Sequence, residues 1–344
     1  MHVLEAGPET APALLLLHGF PELAWSWRKV MLPLAQAGYR VLAPDQRGYG
    51  RTTGWDGRYD GDLASYRLTN LVRDEIQLLE KLRIKTVEAV IGHDFGSPVA
   101  AWCALLHPET FRSVALMSAP FAGPPATPVP PPDPVHDGLA ALARPRKHYQ
   151  WYYSTREADA DMLHCAQGMH AFLRAYYHMK SADWKENKPR ELAAWSAAEL
   201  AKMPAYYIMN LGENMAQTVA PHMPESASAW LTDDELRVYS NEFARTGFQA
   251  ALQWYRCRTT GRFNDDLCTH RGMKIAVPAC FMAGASDWGP FQRAGDLAKM
   301  RAQAFADDRG CHFIEGAGHW VQQEQPAAVV RHLLDFLKNI HSRG

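Results

Sequence analysis

Much of what a chain of 344 residues could be is excluded by what this one lacks. No apolar run approaches the ~18–20 residues of a membrane-spanning helix. Net charge is nearly absent: 36 Lys+Arg against 37 Asp+Glu leave −1. That balance argues against nucleic acid or an anionic membrane surface as partner. Glu5 and Glu9 stand where a secretory signal would carry Lys or Arg. Cysteine is sparse: six, scattered and without a CxxC pair. They suit a reduced cytoplasmic enzyme better than a disulfide framework or a zinc site. No internal repeat is visible. At 47% apolar residues the chain is globular rather than disordered.

Proline is unevenly placed. Eight of the 23 fall between Pro120 and Pro134, a stretch that predicts an extended connector, because proline fixes φ and removes amide donors. Before it, short apolar runs (Ala13–His18, Tyr39–Ala43, Thr86–Gly92, Arg112–Met117) alternate with helical periods over Trp25–Gln36, Leu68–Leu82 and Ser97–Leu106. Unbroken apolar strands between helices predict a mostly parallel sheet covered on both faces. From about Leu139 to Arg262 only helical periods rich in Trp, Tyr, Met and His appear, with a capping box at Thr232 and Glu235. The first style then returns: strand Ile275–Met282, helix Phe291–Phe305, strand His312–Ile314, helix Ala327–Leu337. The expected architecture is an α/β core (1–120 and 275–344) interrupted by a proline-rich connector and an all-helical cap (121–274).

Four short pieces carry chemistry. Gly92-His93-Asp94-Phe95-Gly96 lies between a buried strand and an alanine-rich helix. A sharp strand-to-helix turn that lifts a nucleophile above a sheet needs small residues on both sides. Here the lifted residue is Asp94, although a helix N-cap would also use aspartate. His18-Gly19-Phe20-Pro21 follows the strand at Ala13, where Gly and Pro would equally make a structural turn. Gly316-Ala317-Gly318-His319-Trp320 follows the last strand, at the strand end where open α/β sheets place ligands. Asp287, in Ala283-Gly284-Ala285-Ser286-Asp287, is placed to orient His319, or to cap the helix near Phe291.

Together these pieces resemble the α/β-hydrolase family over the whole chain, and within it the soluble epoxide hydrolase group. Asp45-Gln46-Arg47-Gly48-Tyr49-Gly50 and the helical insertion between sheet strands add to the likeness. The chain begins almost inside an early strand, His2–Leu4, so the family's N-terminal strand is expected to be missing or shortened. The resemblance implies a triad of Asp94, Asp287 and His319, with backbone amides of Phe20 and Phe95 as oxyanion donors.

Aspartate in place of serine selects the reaction. A serine that opened an epoxide would leave an ether, whereas a carboxylate leaves an ester that a histidine-activated water can hydrolyse. Halide would need fixed N–H donors near the nucleophile, and neither Phe95 nor Phe20 carries one in its side chain. An opening epoxide needs a weak acid instead, and tyrosine with a pKa near ~10 remains protonated at neutral pH. The family resemblance assigns this role to Tyr149, in His148-Tyr149-Gln150-Trp151-Tyr152-Tyr153, and to Tyr239; Tyr152 is the alternative to Tyr149. Gly247-Phe248 through Trp254-Tyr255-Arg256 continues the likeness. Trp151, Tyr152 and Trp320 are expected to contact substrate. The expected function is therefore conversion of a small apolar epoxide and water to a vicinal diol, as in detoxification, with no metal or organic cofactor. The composition allows a homodimer. A haloalkane-type dehalogenase, a ligand-binding homologue with weak turnover, and cofactor-free oxygen chemistry are the competing readings.

Overall fold

A computed structural model describes residues 1–129 and 133–341. Pro130–Pro132 of the expected connector, and residues 342–344 at the end of the expected core, lie outside the described residues. Nine strands are described: β1 (Val3–Ala6), β2 (Ala13–Leu17), β3 (Arg40–Pro44), β4 (Val87–His93), β5 (Val114–Met117), β6 (Arg146–His148), β7 (Ile208–Asn210), β8 (Ile275–Gly284) and β9 (Phe305–Ile314). Seven of them form one sheet in the order β1-β3-β2-β4-β5-β8-β9. Only the β1–β3 pairing is antiparallel; the others are parallel.

The apolar run of β2 explains why the sheet is buried on both sides. Leu15 and Leu17 join one core cluster, and Leu14 and Leu16 the other, as the two-residue strand period requires. All four are fully buried, and each contributes roughly 1.5–3 kcal/mol. On the first face lie α2 (Leu68–Lys81) and α3 (Gly96–Leu106), whose Leu71, Val72 and Leu79, and Val99 and Trp102, belong to the first cluster. The second face is covered by α1 (Arg28–Gln36) and α7 (Pro326–His341), through Val30, Leu34, Val329 and Leu333.

The chain between β5 and β8 is mainly helical, including α4 (Met169–Lys180), α5 (Asp233–Thr246) and α6 (Gln249–Thr260). The capping box is present: Thr232 accepts from the Glu235 amide at 3.2 Å, and the Glu235 carboxylate accepts from the Thr232 amide at 2.9 Å. The segment is not all-helical, since β6 and β7 pair antiparallel over three residues each. Strands that short leave no readable two-residue alternation. Two other elements differ. The helix expected over Phe291–Phe305 is broken into a short turn at Gly289–Phe291 and helical pieces at Asp296–Lys299 and Met300–Ala304. Strand β9 begins at Phe305 rather than His312, and its early residues Asp307, Asp308 and Arg309 are polar because it is an edge strand, open to solvent on one side.

Candidate active site

The parallel strands β2, β4, β5, β8 and β9 deliver their C-terminal ends to one edge of the sheet, and the four sequence pieces, which follow β2, β4, β8 and β9, meet there. Asp94 immediately follows β4 with φ at 51°, a left-handed backbone that costs a non-glycine residue about 1–3 kcal/mol. The crossing is tight: a Cβ on Gly92 would meet the Gly96 carbonyl oxygen at 2.2 Å, and one on Gly19 would meet the Asp94 Cβ at 2.4 Å. Asp94 caps no helix. Phe95 occupies the N-cap of α3 without a side-chain hydrogen bond, and the Asp94 carboxylate turns the other way. Its Oδ1 accepts from the Phe20 amide at 3.0 Å, and its Oδ2 lies 3.2 Å from His319 Nε2.

On its far side, His319 Nδ1 is 3.1 Å from Asp287 Oδ1. Asp287 Oδ1 also accepts from the Gly289 amide at 2.7 Å, so the local turn and the contact to histidine coexist. Burial works to raise the pKa of both carboxyls, yet both stay below the ordinary value. For Asp94 the opposing influences are His319, Lys180 and His93; for Asp287 they are His319, Ser118 and the Gly289 amide. Both carboxylates are held ionised on either side of one imidazole, the arrangement of a nucleophile, a base and its orienting acid.

Above Asp94 opens a cavity of about 890 Å³, walled by Phe95, Trp102, Tyr149, Trp151, Trp254 and Tyr255 among others.

The sequence pattern of the alpha/beta hydrolase fold family matches residues 12–326. Among curated proteins, Epoxide hydrolase B of Mycobacterium tuberculosis is 32% identical, covering 98% of this chain and 95% of that protein. Bifunctional epoxide hydrolase 2 of Mus musculus is 29% identical over 98% of this chain but 53% of its own length. Among solved structures, an epoxide hydrolase from an endophytic Streptomyces superposes with a TM-score of 0.80 at 32% identity, covering 99% of this chain and 92% of that one. Epoxide hydrolase I of potato (Solanum tuberosum) gives 0.74 at 26% identity, with 98% and 95% covered. The chain belongs to the α/β-hydrolase family, in its epoxide hydrolase branch.

Within this hydrolase the residues expected at the site divide. Asp94, His319, Asp287 and the Phe20 amide come together as described, and Tyr149 and Trp151 line the cavity. The Tyr149 hydroxyl donates to Gln292 Oε1 at 3.0 Å and accepts from Gln150 at 3.1 Å. Tyr239 does not line the cavity. It points from α5 toward the α1 side, where its hydroxyl meets Ser26 Oγ at 2.8 Å and Gln323 Oε1 at 3.2 Å. The face it shares with Leu236 and Phe243 is a packing face, and all three are buried. Tyr152 also turns away from the cavity, donating to Asp161 at 3.0 Å. Trp320 stacks on Tyr177 at 4.3 Å and donates its indole N–H to the Tyr177 carbonyl, so it braces the His319 loop instead of lining the cavity.

The second phenol in the cavity is Tyr255 of α6. Its ring meets the rings of Phe95 at 4.9 Å and Phe20 at 5.4 Å, and its hydroxyl has no hydrogen-bond partner among the described residues. Burial is the main cause that raises the pKa of both Tyr149 and Tyr255, so both phenols are protonated donors.

Three supporting residues escaped the sequence reading. Ser118, directly after β5 with φ at 68°, donates to Asp287 Oδ2 at 2.5 Å and stands 2.8 Å from His319 Nδ1. His93 and Glu22 form a fully buried pair: His93 Nδ1 lies 2.6 Å from Glu22 Oε2, and its Nε2 lies 2.7 Å from the His319 carbonyl. Both ring nitrogens therefore face acceptors, which requires the doubly protonated imidazolium. Burial opposes charge on each, but the mutual attraction wins, raising the His93 pKa and lowering that of Glu22. Glu22 also accepts from the Gly19 amide at 3.1 Å, so the pair ties the loop bearing Phe20 to the loop bearing His319.

Proposed function

We propose that the protein hydrolyses an epoxide to a vicinal diol through an ester on Asp94. The observation that carries this reading is a carboxylate beneath two phenols, Tyr149 and Tyr255, in one cavity. Asp94 Oδ1 already occupies the Phe20 amide, which leaves Oδ2 as the attacking oxygen. Oδ2 forms a bond to one ring carbon while the ring C–O bond breaks, and a phenol passes its proton to the leaving alkoxide. His319, oriented by Asp287 and Ser118, then takes a proton from water as the water oxygen adds to Asp94 Cγ. Negative charge develops on Oδ1, where the Phe20 amide and the neighbouring Phe95 amide serve as oxyanion donors. Collapse expels the original Oδ2 as the diol alkoxide, which takes the proton from His319; the second proton of the water passes from the Asp94 carboxyl to the phenolate, and the water oxygen stays on the Asp94 carboxylate. In this scheme residues 121–274 act as the cap that brings both phenols over the nucleophile, with residues 1–120 and 275–344 as the hydrolase core.

A dehalogenase would need a free N–H donor beside the nucleophile. The indole that packs on Phe95 belongs to Trp254, whose ring lies 5.4 Å away and whose N–H is given to the Arg47 carbonyl at 3.0 Å.

The test is a single turnover of styrene oxide in ¹⁸O water with excess enzyme. The first diol should carry no label, and label should appear in the peptide containing Asp94. In His319→Gln, intact mass should rise by one epoxide. Label in the first diol, or no adduct in His319→Gln, overturns the ester.

A further inference from the structure

The two phenols that face the cavity hold their protons differently. The Tyr149 oxygen is fixed in place, because its ring packs on those of Tyr207 at 5.1 Å, Tyr153 at 5.5 Å and Tyr255 at 5.9 Å. What can still turn is the hydroxyl hydrogen. That hydrogen goes to Gln292 Oε1 at 3.0 Å, while Gln150 Nε2 donates to the same hydroxyl at 3.1 Å. With the Gln292 amide turned over, two donors would face the hydroxyl and neither glutamine would accept its proton. The network therefore fixes the amide with its oxygen toward Tyr149.

Gln292 is well placed for this contact. It follows the short turn Gly289–Phe291, five residues after Asp287, and lines the cavity. Gly289 of that turn donates to Asp287 Oδ1 at 2.7 Å, so the glutamine rides on the loop that carries the acid of the triad. Its partner Tyr149 stands 143 residues away in the chain, on the segment between β5 and β8. Tyr255 has no equivalent acceptor. Its ring is held edge-on by Phe95 and Phe20, and its hydroxyl meets no protein group among the described residues. An opening ring thus finds the Tyr255 proton free, whereas Tyr149 must first leave Gln292.

We propose that Gln292 is a positioning residue for ring opening: by holding the Tyr149 proton it makes Tyr255 the phenol that protonates the alkoxide, and Tyr149 the weaker partner. This rests on the epoxide-opening reading above. As the ring C–O bond breaks, the Tyr255 O–H bond breaks with it and its proton moves to the former ring oxygen. The phenolate left on Tyr255 is the one that regains a proton during ester hydrolysis. A bond to a developing alkoxide is roughly twice as strong as a neutral one, so Tyr149 keeps about half its worth after giving up the glutamine.

The experiment is a mutant cycle over Tyr149→Phe, Tyr255→Phe and Gln292→Leu, read as the ester-forming rate with styrene oxide and enzyme in excess. Alone, Tyr149→Phe should slow that rate less than Tyr255→Phe does, by roughly three- to tenfold, the worth of one neutral hydrogen bond. Gln292→Leu removes the acceptor and should speed the Tyr255→Phe enzyme by a similar factor. In the Tyr149→Phe enzyme the same substitution should change nothing, which separates release of the Tyr149 proton from a change of cavity shape. Gln292→Met, closer to glutamine in length, should act as Gln292→Leu does and carries the test should the leucine variant fold poorly. Gln292→Glu keeps an acceptor and should bring no gain. The assignment is overturned if Tyr149→Phe and Tyr255→Phe are equally slow. It also fails if the leucine and methionine variants bring no gain with Tyr255→Phe, or if their gain persists with Tyr149→Phe. A parent enzyme that forms no ester from styrene oxide would instead overturn epoxide opening itself.

Discussion

Tyr255 and Tyr239 should respond in opposite ways to the loss of one oxygen atom. The Tyr255 hydroxyl has no protein partner among the described residues, so Tyr255→Phe takes nothing from the resting fold beyond the solvation of that hydroxyl. Its unfolding free energy should stay within about 0.5 kcal/mol of the parent. Tyr239→Phe removes the contacts to Ser26 at 2.8 Å and Gln323 at 3.2 Å and an acceptor of the Arg28 guanidinium at 3.3 Å, although Arg28 keeps Glu235 at 2.9 Å. Gln323 Oε1 keeps its bond from Arg28 at 2.7 Å, so the net cost should be about 1 kcal/mol rather than the larger penalty of an orphaned group. For the chemistry the order reverses. A hydrogen bond to a developing alkoxide is charge-assisted and contributes about 1.5–3 kcal/mol, so Tyr255→Phe should slow ester formation by roughly 10- to 100-fold.

Steady-state rates mix the two half-reactions, so the assay is stopped-flow with enzyme in excess. Trp254 packs on Phe95 beside the nucleophile and provides a fluorescence signal for ester formation. Urea denaturation of the same three proteins gives the stability arm. If Tyr255→Phe forms ester at the parent rate while Tyr239→Phe slows tenfold or more at unchanged stability, the assignment of the phenols is wrong.

The remaining expectations concern the groups behind the triad. Both phenols have raised pKa values through burial, so the ester-forming rate should show no loss to phenol ionisation up to about pH 10; a decline beginning near neutrality would contradict this. Ser118→Ala should slow ester hydrolysis about tenfold with ester formation little changed, because it removes a donor to Asp287; Ser118→Gly should be more stable than Ser118→Ala by about 1 kcal/mol, since φ is 68° there. Glu22→Gln leaves the His93 imidazolium buried and unpaired, with an expected cost of about 3–5 kcal/mol. His93, with its raised pKa, contributes stability that is complete below 6.5 and lost as pH rises through its folded value. Glu22, with its lowered pKa, contributes stability that is complete above 4.5 and lost as pH falls through its folded value. The difference in Tm between parent and Glu22→Gln should therefore be greatest between 4.5 and 6.5; a difference that does not vary with pH would refute the charged pair.

What could be read in the sequence was whatever is encoded locally. The β2 run Ala13–Leu17 states both its conformation and its burial on two faces, and Gly92 and Gly96 state how closely α3 crosses the sheet. Asp94 and His319 were legible because each sits in a short glycine-marked turn at a strand end. The cap was harder for a physical reason. Tyr239 and Tyr255 lie on consecutive helices, both buried among aromatic residues and both at helical spacing. Only the orientation of α5 and α6 against the core decides which hydroxyl meets Ser26 and which meets the cavity, and helical period carries no information about that orientation. Ser118 and the Glu22–His93 pair are hidden for a related reason: their partners are 169 and 71 residues away, so nothing local marks them.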